Sequence, residues 1–163
     1  MVSACSSSTT TVKATSPSPG QTQANWVSQK IGDFTKNTFR FVEEFTIDQQ
    51  QDAYTVTLRF VPEVGSAPAK EDIYRSMAEY AWSVHRFFPE VHRYEFHVLW
   101  DEKTKQEAIE AVLEENEVKQ LDSRYYDVKM GQQAQPAASW SSIFTTVTES
   151  DTAKKWHDKE TGA

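Results

Sequence analysis

The chain has 163 residues, 38% of them apolar, with nine Phe, six Tyr and five Trp available to fill an interior. That length suits one domain plus tails, and the apolar share sets it apart from an intrinsically disordered chain. The 17 Lys and Arg stand against 24 Asp and Glu, giving a net charge of −7 and a pI near 5.1, with no local basic run; such a surface repels phosphate backbones and anionic lipid, which excludes general nucleic-acid binding.

At the start of the chain, Cys5 is the one cysteine, so an internal disulfide and a multi-cysteine metal site are both excluded. No apolar stretch approaches the ~20 residues of a membrane span. Val2-Ser3-Ala4-Cys5 is followed by Ser6-Ser7-Ser8-Thr9-Thr10-Thr11 and then by Ser16-Pro17-Ser18-Pro19-Gly20. The first four residues resemble the lipobox of bacterial lipoproteins, and the polar run resembles the tether that follows it. The resemblance implies that Cys5 is a lipid anchor exposed by removal of a signal peptide. It also implies that residues 1–24 are a disordered tether and that the protein works outside the cytoplasm, anchored to a membrane of the bacterial cell envelope. The charged and apolar leader of that family is not in the sequence, so Met1 is expected to replace a removed leader. Residues 6–24, as a flexible spacer, would reach roughly 25 Å.

Residues 25–130 are expected to form a single α+β domain. Trp26, Val27, Ile31 and Phe34 suit a short helix over 25–34. From Thr38 the period becomes two. Phe39, Phe41, Phe45 and Ile47 alternate with polar residues, and after 48–52 so do Tyr54, Val56, Leu58 and Phe60. The two runs predict a β-hairpin over 38–61 in which Ile47 meets Tyr54, Phe45 meets Val56 and Phe41 meets Phe60. Glu43 then falls on the apolar face, opposite Leu58.

Pro62 to Pro68 reads as a loop. Ile73, Met77, Tyr80, Ala81 and Val84, with Phe87 or Phe88, form the stripe of a helix over 70–88 that begins with Glu71 and Asp72 and ends at Pro89. Val91 to Trp100 alternates again, predicting a strand over 91–100. Thr104 and Glu107 fit a capping box, so a second helix is expected over 104–121 with Ala108, Ile109, Val112 and Leu113 inward. Residues 124–130 read as a fourth, shorter strand. The fold expected is therefore a small, mostly antiparallel sheet of three or four strands with both long helices on one face. Residues 131–163 read as a linker, an element at 140–148 that fits helix or strand, and a polar tail.

No phosphate-binding glycine motif and no G-x-S-x-G nucleophile pattern occurs. His85, His92 and His97 are the nearest approach to a cluster, but His92 and His97 are five residues apart and point to opposite faces of a regular strand. Glu95 and His97 share a face and could chelate or exchange protons, although cross-strand charge pairs with Arg40, Glu44 and Arg59 account for them as well. A buried Glu43 would have a raised pKa, a mark of functional carboxylates. Glu43 and His92 are thus the candidate pocket residues, with no catalytic set, metal ligand or cofactor assigned.

Three functions are open at this point. The first is a non-enzymatic, lipid-anchored domain for binding or assembly at a bacterial cell envelope, with a protein partner that could add a strand to a sheet edge. The second is a small-ligand protein or enzyme with a pocket between sheet and helices. The third is an intracellular domain, cytoplasmic, whose acidic surface meets a basic partner. Oligomeric state is left open.

Overall fold

A computed structural model describes residues 22–62, 70–134 and 139–154. Cys5, most of the expected tether and the loop at 63–69 lie outside the described residues.

The first helix, α1, spans Gln23–Thr38, so the last residues of the expected tether belong to it. Thr22 caps it, accepting a hydrogen bond from the Asn25 backbone N–H at 3.1 Å. Trp26, Val27 and Ile31 are buried. A five-stranded sheet follows, its strands adjacent in sequence order. It comprises β1 (Phe41–Gln50), β2 (Ala53–Val61), β3 (Val91–Leu99), β4 (Glu107–Leu113) and β5 (Thr146–Glu149). The helix α2 (Lys70–Phe87) crosses from β2 to β3, which lie parallel; the other three pairings are antiparallel. The sheet is therefore mixed, with one more strand than expected.

The hairpin is present, but its register differs from the expected one by two residues. Gln50 pairs with Ala53, so only Gln51 and Asp52 form the turn, with Gln51 at φ 57°, the positive φ that two-residue hairpin turns require. Ile47 then meets Val56 and Phe45 meets Leu58. A bulge at Glu43 takes up one residue, so that Val42 faces Phe60 and Phe41 pairs with Val61, on the opposite side of the sheet from Phe45.

The largest correction concerns residues 104–134. Thr104 starts no helix. Its hydroxyl donates to Asp101 Oδ2 at 3.0 Å, and Asp101 Oδ1 accepts the Lys103 and Thr104 backbone N–H groups at 2.8 and 2.7 Å. This Asp-centred turn, with Lys105 at φ 52°, returns the chain as β4. Ile109, Ala111 and Leu113 alternate inward, a period of two that the small Ala111 hides. Helices α3 (Glu115–Lys119) and α4 (Leu121–Ala134) follow, so the expected strand at 124–130 is helical. The buried residues Val118, Leu121, Tyr125 and Val128 are spaced three or four apart, as helix packing demands.

Beyond the described end of α4, a 3-10 helix at Trp140–Ile143 precedes β5, and a short α5 covers Asp151–Lys154. The segment that fitted helix or strand is one followed by the other. Side chains of α2 and α4 hold it in place. Glu71 accepts from Ser139 Oγ (2.8 Å) and the Trp140 N–H (3.0 Å), while Arg124 Nη2 donates to the carbonyls of Ser142 (2.6 Å) and Ile143 (2.9 Å). Glu149 of β5 accepts from Tyr74 Oη at 2.6 Å and Lys70 Nζ at 3.2 Å.

Every helix sends its buried apolar side chains into one core, on the sheet face formed by Tyr54, Val56, Leu58, Phe60, Tyr94, Phe96, Val98, Ile109, Ala111 and Leu113. Aromatic contacts knit the layers: Tyr80 meets Phe96 edge-on at 5.9 Å, and Phe39 lies 4.4 Å from Phe60. The Tyr80 hydroxyl, sealed in this core, is bonded to Thr35 Oγ1 at 2.6 Å. Burial pushes its pKa far above the usual tyrosine range.

Two substitutions test this packing. Leu58→Ala empties a fully buried site between β1 and β3 and is expected to cost about 2–5 kcal/mol in urea denaturation. Gly32 lies inside α1, where an added Cβ would meet the Phe45 ring at 3.4 Å, an ordinary contact. Gly32→Ala is expected to stabilise by about 0.5–1 kcal/mol, and a loss instead would place that ring closer than the structure does.

Candidate functional site

Among the described residues, the opposite face of the sheet receives none of the core helix side chains and holds the one buried histidine. Strand alternation puts it there. In β3, Tyr94, Phe96 and Val98 face the helices, so Glu95 and His97 must face the other way. His97 is flanked by Arg59 on β2 and by Glu110 on β4, each its direct cross-strand partner. Val61, Leu99 and Val112 are buried on this side without joining the main core.

His97 is 8% exposed, and both ring nitrogens face carboxylates. Nε2 is 2.8 Å from Glu95 Oε1, and Nδ1 is 2.9 Å from Glu107 Oε2. Glu110 Oε2 lies 3.8 Å from Nδ1, within ion-pair range but beyond a hydrogen bond. Two guanidinium groups close the network. Arg93 Nη1 donates to Glu95 Oε2 at 2.6 Å and its Nε to Glu114 Oε1 at 3.0 Å, while Arg59 Nη1 is 3.6 Å from Glu107 Oε2.

This arrangement constrains the charge on the ring. A neutral imidazole has one N–H, so it can satisfy only one of the two carboxylates at hydrogen-bond distance. The other would face a lone pair. Burial alone would raise the pKa of Glu95, and it is the largest single influence. The hydrogen bonds from Arg93 and His97, with the charges of both, outweigh it and hold the carboxyl below its usual range. Glu95, His97 and Glu110 also offer ligand atoms that all lie within 4.8 Å of one another. The cluster can thus hold a proton between carboxylates or gather donors around a cation.

The residues singled out from the sequence fare differently. Glu43 sits at the bulge of β1 with its exposed carboxylate 2.6 Å from Lys105 Nζ. His92 stands at the start of β3, its Nδ1 3.5 Å from Glu115. Glu43 neighbours the Phe60–Arg59 end of β2 and His92 the Tyr54 end, so the fold does not bring them together. Glu95 and His97 do share a face, and Arg59 is beside them as expected. Glu107 and Glu110 were hidden by the helical reading of 104–121. The alternation of Ile109, Ala111 and Leu113 was the signal that could have placed them.

Comparison with known proteins finds no matching family model, no matching curated protein and no matching solved structure.

Two predictions follow from these histidines. Removing the ring by His97→Ala leaves Glu95, Glu107 and Glu110 facing one another with too little positive charge. The expected loss is about 2–4 kcal/mol by chemical denaturation, close to what breaking a buried ion pair costs. An effect under about 0.5 kcal/mol would show the network to be a solvated one.

His85, in the last turn of α2, has a buried Nδ1 with no hydrogen-bond partner among the described residues. Burial, and then the charge of His92, hold its pKa below the usual 6.5, with Asp122 opposing. The unfolded chain therefore takes up this proton more readily, so the stability His85 contributes is complete above about pH 6.5 and is lost as pH falls below that value through the lower pKa of the folded protein. Denaturation midpoints of His85→Asn should decline less than those of the parent between about pH 7 and pH 5. Parallel declines would rule this out.

Proposed function

We propose that this protein is a non-enzymatic domain for binding or assembly, held at a bacterial cell envelope through a lipid on Cys5. The observation that carries the reading is the lipobox-like Val2-Ser3-Ala4-Cys5, followed by a Ser-, Thr- and Pro-rich run ahead of α1, which Thr22 caps. Lipid attachment at one cysteine holds a domain near a surface without any membrane-crossing helix. Among the described residues no helix is long and apolar enough to cross a membrane.

A partner has a place to dock. The strand β1 runs for ten residues along the edge of the sheet, and among the described strands it pairs with β2 alone. An extended segment can add to such an edge through backbone hydrogen bonds. The side chains choose which segment. Glu43, Glu44 and Asp48 make the strand acidic, and two copies placed edge to edge would bring like charges together. A partner strand with basic side chains fits this edge better than a second copy of the chain does.

The competing pocket between sheet and helices has less in its favour. Tyr80, Tyr94, Phe96 and Met77 fill that layer with almost no exposure, and Glu43 and His92 stand at separate ends of the sheet.

The test is metabolic labelling of the product of the full-length gene, with its native leader, using a clickable palmitate analogue. Label in the membrane fraction that disappears in Cys5→Ser is the expected result. Unlabelled, soluble protein from the native gene would remove the main support for the reading.

A further inference from the structure

The network around His97 is short of positive charge. Four carboxylates (Glu95, Glu107, Glu110 and Glu114) are in ion-pair contact with two guanidinium groups and one imidazole. With a neutral ring the deficit is two positive charges. A proton on His97 supplies one of them, whereas a divalent cation supplies both. A neutral imidazole leaves one of two carboxylates, at 2.8 and 2.9 Å, against a lone pair, a mismatch that either a second ring proton or a bound metal relieves.

The donors also suit a metal. Glu95, His97 and Glu110 bring ligand atoms within 4.8 Å of one another, from positions two apart on β3 and directly across on β4. Two hydrogen-bonded strands hold these positions more rigidly than a loop would. Arg93 takes Oε2 of Glu95 at 2.6 Å, which turns Oε1 towards the ring. This is the outer contact that orients a carboxylate ligand. One imidazole nitrogen with two carboxylate oxygens is a donor set for Zn²⁺ or Mn²⁺ rather than for Ca²⁺ or Mg²⁺, which favour oxygen alone.

We propose that Glu95, His97 and Glu110 form a binding site for a divalent transition-metal ion, Zn²⁺ in the first instance, on the sheet face opposite the aromatic core. The ion takes three protein ligands, with Glu107 alongside, and keeps a position for water or for a donor from another molecule. His97 binds it as the neutral ring, so any proton held there is released when the metal enters. The site is independent of the lipid anchor and of the β1 edge.

The experiment is calorimetric titration of the full chain with zinc sulfate after chelator treatment, in a Cys5→Ser background so that the thiol cannot compete. One saturable site is expected. Its affinity should fall at least about tenfold in Glu110→Gln, vanish in His97→Gln and stay unchanged in His85→Asn. Calcium should bind far more weakly. Absence of saturable zinc binding would overturn the proposal, as would equal affinity in the parent and in Glu110→Gln. Because Glu110 is only partly buried, that variant carries the test even where His97→Gln fails to fold. A second readout is the nitrogen NMR shift of the His97 ring at saturating zinc. Metal ligation should move one ring nitrogen away from its imidazolium position, and an unchanged imidazolium would show that the proton, not the metal, fills the network. Neither readout involves lipid labelling, so failure here leaves the anchoring test standing.

Discussion

The structure depends on the position of β3 at the centre of the sheet. It is parallel to β2 on one side and antiparallel to β4 on the other, so both of its backbone edges are satisfied and it has no freedom to slip. Its alternation then decides both layers at once. Tyr94, Phe96 and Val98 must enter the helix side, and Glu95 and His97 must enter the other. A one-residue shift would put two ionisable groups into the aromatic core. The cost of burying those charges without partners far exceeds what any single contact returns, so the register that seats Phe96 also fixes the place of the imidazole.

The helix layer is organised from the first turn of α2. Lys70, Glu71 and Tyr74 all contact the segment 139–149. Acidic residues at a helix start favour the dipole, but Glu71 does more, since it binds a hydroxyl and a backbone N–H far along the chain. These contacts explain how a four-residue strand finds its place at the sheet edge. β5 is too short to dock on ladder hydrogen bonds alone. Glu149, pointing inward, exchanges an exposed carboxylate for a tyrosine and a lysine. The 3-10 helix before it lodges Trp140 and Ile143 in the core next to Tyr125.

How far the sequence could be read differs between its two halves, and the cause is side-chain size. In β2, α2 and β3, bulky residues mark the inward face, so Tyr54 to Phe60, Ile73 to Val84 and Tyr94 to Val98 announce their periods. In β4 the inward set includes Ala111, and two Glu residues sit in the same seven residues. The pattern then fits a solvated helix equally well. Thr104 reinforced the wrong choice, because the chemistry that makes threonine a good cap also makes it a good partner for Asp101 in a turn. The bulge at Glu43 left a trace in the sequence, because Glu43 stands where the alternation of Phe41 and Phe45 calls for an apolar residue. It reverses the face of Phe41 through one unpaired residue, which the alternation alone does not locate. The candidate site was half visible. Glu95, His97 and Arg59 follow from strand alternation, whereas Glu107 and Glu110 require the tertiary knowledge that β4 is a strand.

The acidic excess of the chain, 24 Asp and Glu against 17 Lys and Arg, also shapes this face. An acidic chain has too few Lys and Arg to match every carboxylate, and where strands place several glutamates around a buried position the shortfall becomes local. Spread over exposed loops such a surplus is screened by water and salt and does little. Gathered around an imidazole with 8% exposure, it acts through a lower dielectric. Arg59 and Arg93 reduce the surplus without cancelling it, because Arg93 divides its fork between Glu95 and Glu114 and Arg59 sits 3.6 Å from Glu107. What remains is a partly desolvated position where carboxylates outnumber basic groups, built from the alternation of two ordinary strands.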